Sequence, residues 1–309
     1  MSTTATPSAA SGDAPRAAIH DLGYKRYVGT RRPQSTRWRV IVKNVLATSW
    51  RGKWRMKVWM IQAVLTTVGV GIPMYLSRHE IVRELARKGM PMTWADALVP
   101  MSFSWFAWLA FVLGITTASA QVARDLRASA FEFYFSRPVR PIDYVAGKVG
   151  GVTVIMLLAL AAGPVLLSVF RVTLSDDIDE VWTTLALVPR TALIGLLGAL
   201  AYAVVPLALS AVAPRPRITI ALWVGFYFII GGFALGLAVK LGMPGLAAIN
   251  LPLAVKGLAH GIYEVRPLDS SPLPGVVPAL MALVGYASIG VILLHWRMRQ
   301  AERSGLGGG

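Results

Sequence analysis

Residues 121–148 read Gln-Val-Ala-Arg-Asp-Leu-Arg-Ala-Ser-Ala-Phe-Glu-Phe-Tyr-Phe-Ser-Arg-Pro-Val-Arg-Pro-Ile-Asp-Tyr-Val-Ala-Gly-Lys, a polar and aromatic island between two long apolar runs. The pattern predicts an amphipathic helix from about Val122 to Phe135, a break at Ser136, Arg137 and Pro138, and a restart at Pro141. Pro138 disfavours helical geometry at Arg137, whereas Pro141 suits a first helical turn, where its missing N–H has no partner to lose. Asp143 then lies near the new N-terminus, where negative charge complements the helix dipole. A segment this polar does not lie in hydrocarbon. It can lie against a membrane face and dock a partner.

Outward from the island the chain turns apolar. Of its 309 residues, 55% are hydrophobic and only 15% charged, and the mean hydropathy of +0.57 is too high for a water-soluble domain. Apolar runs long enough to cross hydrocarbon as helices occur at about Val58–Leu76, Val99–Ser119, Val149–Phe170, Thr191–Val212, Ile218–Val239 and Gly275–Leu294. Six spans put both termini on one side. The expected fold is an all-α membrane protein.

Charge sets the orientation. Of the 31 Lys and Arg, 22 fall on the side that holds residues 1–57, the island, the 213–217 turn and the C-terminal tail, and 9 on the other. With the acidic residues counted, the first side carries +16 and the second zero. The positive-inside rule predicts cytoplasmic termini in a multi-pass protein of the cytoplasmic (inner) membrane. The basicity is therefore topological and faces anionic lipid, so no nucleic-acid partner is expected. Absence of cysteine excludes disulfides and thiolate metal sites.

In chain order, residues 1–34 read as a disordered basic cytoplasmic tail, with no cleaved signal expected. Residues 35–300 read as a single transmembrane domain and 301–309 as a flexible end. Trp38, Ile41, Val42, Val45 and Leu46 recur at helical spacing, which predicts an in-plane amphipathic helix over about 35–53. Glu80–Lys88 reads as a short external helix. Asp176, Asp177, Asp179 and Glu180 lack the spacing of a calcium loop and read as a solvated acidic loop. Gly232 and Gly236 form a small-xxx-small pair suited to helix packing. Pro244–Tyr263, interrupted by Pro252, Lys256 and His260, reads as short helices dipping into the outer leaflet.

Enzyme chemistry is hard to build from this chain. Its four histidines are scattered, and it has no zinc-protease motif, nucleophile elbow or phosphate-binding Gly-x-x-x-x-Gly-Lys loop. The predicted span interiors also lack ionisable groups, which disfavours an ion-coupled carrier. If the protein transports, its energy comes from another chain.

Glu132, Ser136-Arg137-Pro138-Val139 and Tyr144-Val145-Ala146-Gly147-Lys148, set between the second and third of six spans and preceded by an in-plane helix, resemble the membrane subunit of ABC-2-type ATP-driven exporters. Ala128-Ser129-Ala130 stands where that family has a Gly-Thr. The resemblance implies a non-catalytic permease of type V exporter-like architecture that pairs with a second permease copy or a homologous permease. It implies no cofactor in this chain, with ATP and Mg on a partner cytoplasmic ABC ATPase subunit. It also implies that Arg124, Asp125, Arg127, Glu132, Arg137, Pro138, Arg140 and Asp143 couple ATPase closure to the spans. The alternative is a membrane scaffold or cofactor-assembly component on the same fold without a transport route. The substrate is not legible.

Overall fold

A computed structural model describes residues 36–51, 54–79, 84, 93–128, 139–213, 215–267 and 272–306. The predicted tail before residue 36 and external helix at 80–88, apart from a single helical position at Glu84, lie outside the described residues, as does the second half of the 122–135 helix. Every regular element among the described residues is helical.

The elements are α1 (Arg37–Arg51), α2 (Trp54–Leu76), α3 (Thr93–Leu113), α4 (Gln121–Arg127), α5 (Pro141–Leu160), α6 (Ala162–Thr173), α7 (Ile178–Leu185), α8 (Leu187–Val212), α9 (Pro216–Gly225), α10 (Gly231–Leu241), α11 (Leu251–Tyr263) and α12 (Val276–Leu306). One π-helical turn, Gly114–Ala118, follows α3, and another, Phe226–Ile230, joins α9 to α10. Among the described residues six stretches are long and apolar enough to cross a membrane: 56–76, 97–127, 141–160, 178–212, 216–241 and 276–303.

Burial sorts these stretches. The most apolar windows of the second, third and fourth are 61%, 56% and 67% buried, against 11%, 22% and 22% for the first, fifth and sixth. The middle spans are the core. At its centre α8 packs against α5, α6 and α12, with Ala199, Ala201, Tyr202, Ala203, Val204 and Leu207 fully enclosed. Small side chains let backbones approach, which is how helices pack where lipid is as apolar as leucine.

Several expectations are revised. The third span starts at Pro141, not Val149, and ends at Leu160, after which α6 is a separate helix. Pro164 offers no N–H to the Leu160 carbonyl in the turn behind it, which accounts for a break near Ala161. Lys148 consequently lies inside a span-length helix, so that span's interior is not free of charge; a partner carboxylate compensates it, as described below. Pro252 does not interrupt a helix but opens one: it sits in the first turn of α11, whose N-cap Asn250 accepts a hydrogen bond from the Leu253 N–H at 3.2 Å. The predicted flexible end is helical as far as Leu306.

The acidic stretch at 176–180 is not merely solvated. Arg78 pairs with Asp176 at 3.3 Å and Glu180 at 2.6 Å, and Arg171 reaches Glu180 at 2.9 Å. These contacts tie the end of α2 to α6 and α7. At Gly232 and Gly236, by contrast, a Cβ would meet no atom within 4 Å, so among the described residues the pair packs against nothing.

Candidate functional site

The site is built where four helix ends meet. The break in the apolar pattern after Ala118 leaves Ala120 as an N-cap, and α4 starts afresh at Gln121. The first N–H groups of a helix have no intrahelical acceptor. Here Ser210, near the C-terminus of α8, supplies one: its Oγ accepts from the Val122 N–H at 3.1 Å and the Ala123 N–H at 2.9 Å. Ser210, Val122 and Ala123 are all buried. A residue on one span thus caps the helix that follows another.

The side chains of α4 complete the joint. Asp125 accepts a hydrogen bond from the Tyr144 hydroxyl at 2.6 Å and an ion pair from Lys148 Nζ at 2.8 Å. Lys148 also donates to Gln121 Oε1 at 3.0 Å and stands 5.6 Å from the centre of the Tyr144 ring. Tyr144 and Lys148 are one helical turn apart on α5, and Gln121 and Asp125 one turn apart on α4, so the two helices present matched pairs. The side chain of Lys148 is 6% exposed and that of Asp125 20%. Burial makes the pairing obligatory, because an unpaired charge there is costly.

Two further contacts fix the neighbouring ends. Arg297 of α12 donates through Nε to the Ala211 carbonyl at 3.3 Å, meeting an orphan acceptor at the C-terminus of α8. Arg140 is the N-cap of α5, and its backbone N–H donates to the Asp143 carboxylate at 3.2 Å, with Pro141 in the first turn. Alongside, α1 lies across α5 so closely that a Cβ on Gly147 would come within 2.5 Å of Ile41 Cβ, and one on Gly151 within 2.7 Å of Val45 Cβ. The apolar face of α1 is therefore covered by protein at Ile41 and Val45, while Trp50 and Trp54 remain exposed.

Of the residues expected to form the site, the structure brings Asp125 into the joint, sets Asp143 at the α5 cap, and leaves Arg124, Arg127 and Arg140 exposed on the outside of it. Glu132, Arg137 and Pro138 lie outside the described residues. The sequence alone marks neither Gln121 nor Ser210, and it shows Tyr144 and Lys148 only within the Tyr-x-x-Gly-Lys motif. Their spacing on α5 was visible, but the approach of Ser210 across 88 positions of chain leaves no local signal.

A second cluster follows from the π turns. A π turn shifts the hydrogen-bond register, and the Ser119 N–H reaches back to the Gly114 carbonyl at 2.9 Å. The buried Trp223 donates its Nε1–H to the Phe111 carbonyl at 3.1 Å. Gly114 makes room, since a Cβ there would lie 2.8 Å from that indole nitrogen. The Trp223 ring meets Phe111 at a tilt and Tyr227 edge-on; Phe111 and Tyr227 stack with centroids 4.0 Å apart, and Trp108 leans on Phe111 at 5.3 Å. Among the described residues no group of three or more His, Asp or Glu side chains gathers as a metal site.

The described residues thus carry a buried polar joint beneath exposed arginines, set on six apolar spans. Among curated proteins none matches the chain significantly. The family model for ABC-2 family transporter protein matches residues 27–260, well over half of the 309 residues and all of the elements that build the joint except α12. The chain belongs to the ABC-2 family of transporter proteins.

Proposed function

We propose that this membrane permease couples ATP hydrolysis on a separate cytoplasmic ABC ATPase subunit to export of a substrate across the cytoplasmic membrane, with residues 121–148 as the docking element. The observation that carries the reading is the joint of Asp125, Tyr144, Lys148 and Ser210. It fastens α4 to α5 and α8 together, so a push on α4 reaches two core spans without first deforming a loop. Arg124, Arg127 and Arg140 are exposed and available to a partner, and charged contacts at a wet interface fix register and steer encounter. Glu132, Arg137 and Pro138 belong to the same docking element by family resemblance.

The termini lie in the cytoplasm by charge asymmetry. A second permease, identical or homologous, covers part of the poorly buried first and fifth spans. ATP and Mg belong to the ATPase chain.

Affinity purification of the tagged chain from solubilised native membranes tests this. The expected result is a stoichiometric P-loop ATPase, lost when Arg124, Arg127 and Arg137 are replaced by Glu while the permease still inserts. Clean recovery of the chain with no ATPase, from membranes in which it is normally expressed, would refute the docking role.

A further inference from the structure

Beside the joint, α5 and α12 leave an open groove of about 490 Å³, within the roughly 300–1,000 Å³ of small-molecule sites. Its length is apolar: Ile142, Ala146 and Val149 line one wall and Val291 and Ile292 the other. Its chemistry changes at one end. There α12 contributes His295, Trp296 and Arg299, beside the first turn of α5 at Ile142. The polar end is therefore at the same end of the molecule as the docking element, and the apolar length runs from it along the spans.

We propose that this groove is a binding site for one anionic glycerophospholipid, with an acyl chain along Val149 and Ile292 and the phosphate at Arg299 and His295. The order of side chains is that of a lipid standing in its leaflet. Ile292 is exposed and apolar, Trp296 is 55% exposed at the level where indoles favour headgroups, and Arg299 and Arg303 follow on exposed positions one turn apart. The carboxylate nearest the groove on α5, Asp143, is turned back to the Arg140 N–H, and Glu302 is the acidic residue on this part of α12. Positive charge therefore prevails at the polar end, and it selects net-negative headgroups over zwitterionic ones.

The site bears on the permease through its walls. Ala146 and Val149 lie on the helix that carries Tyr144 and Lys148, so a lipid wedged between α5 and α12 braces the joint from behind. Which leaflet supplies the lipid rests on the proposed orientation; the preference for negative charge does not.

The full chain in nanodiscs of equal phosphatidylglycerol and phosphatidylethanolamine, released and weighed by native mass spectrometry, tests the proposal. The expected result is one retained phosphatidylglycerol, with its enrichment over phosphatidylethanolamine reduced about five-fold in Arg299→Gln, the effect of one cation at a membrane surface. Ala146→Trp, which fills the groove from an exposed position, is expected to remove the retained lipid of either kind. A photoreactive residue at position 292 is expected to cross-link to lipid. Unchanged enrichment in Arg299→Gln overturns the proposal, and so does a cross-link from position 292 to a second copy of the chain, which would make the groove a protein interface. Neither outcome bears on ATPase recovery, so this inference and the docking reading fail separately.

Discussion

Lys148 is the residue on which the joint turns. With its side chain 6% exposed and paired to Asp125 at 2.8 Å, it belongs to the class of buried ion pairs whose disruption costs about 3–5 kcal/mol when one partner is removed and far less when both are replaced by apolar groups. Lys148→Met is therefore expected to lower the thermal unfolding midpoint of the detergent-purified chain sharply. Asp125→Leu with Lys148→Met is expected to recover most of that loss, and Tyr144→Phe to cost only about 1 kcal/mol. Equal damage from the single and double variants would show that the charges do not act as a pair. At this scale the sequence was informative where the physics is local. Pro141 and Asp143 announce the start of α5 because caps and proline act within one turn, and the structure has them there. Ser210 and Gln121 were silent, because their roles depend on which helix ends meet.

At the scale of elements, α1 shows how far periodicity reaches. Its apolar stripe predicted a helix lying on lipid, and the helix is there, but Ile41 and Val45 are covered by α5. A hydrophobic stripe records that a face leaves water without recording what covers it. The glycines of α5 carry the missing information, since their spacing of four matches the turn-by-turn approach of Ile41 and Val45. This contact is testable because the chain has no cysteine of its own. A Cβ at Gly150 would stand 3.3 Å from Val42 Cγ2, close enough for a disulfide. Val42→Cys with Gly150→Cys is expected to form an intramolecular bond under mild oxidant, read as a mobility shift reversed by reductant. Adding Gly151→Leu is expected to abolish it by forcing α1 off α5. A bond that forms equally well with Leu at 151 would mean that α1 approaches α5 by another route. The revised third span has a related cause: a lysine in a hydropathy profile looks like a boundary, and only the partner that neutralises it shows that the helix passes through.

For the whole molecule, six spans were legible because crossing length and apolarity are properties of each segment alone. Their unequal burial was not, because it depends on which helices α8 gathers. Orientation stands apart from both, being carried by charge that the folded chain merely displays. It also decides the reading of the joint, since an ATPase reaches α4 only from the cytoplasm. Single cysteines at two exposed positions separate the sides: Asp177 beside α7, and Arg303 near the end of α12. An impermeant maleimide applied to intact cells is expected to label Asp177→Cys and to spare Arg303→Cys, which reacts once the membrane is opened. Reversed labelling would turn α4 outward and leave a cytoplasmic ATPase nothing to dock on. Labelling of both in intact cells would mean an odd number of crossings between residues 177 and 303 is wrong, and with it the count that puts the joint and the C-terminus on one side. The expected pattern fixes the sidedness of α4 as well, because Arg297 binds the Ala211 carbonyl at 3.3 Å while the adjacent Ser210 caps α4 at 2.9 Å, and three ends held this closely lie on one side of the membrane.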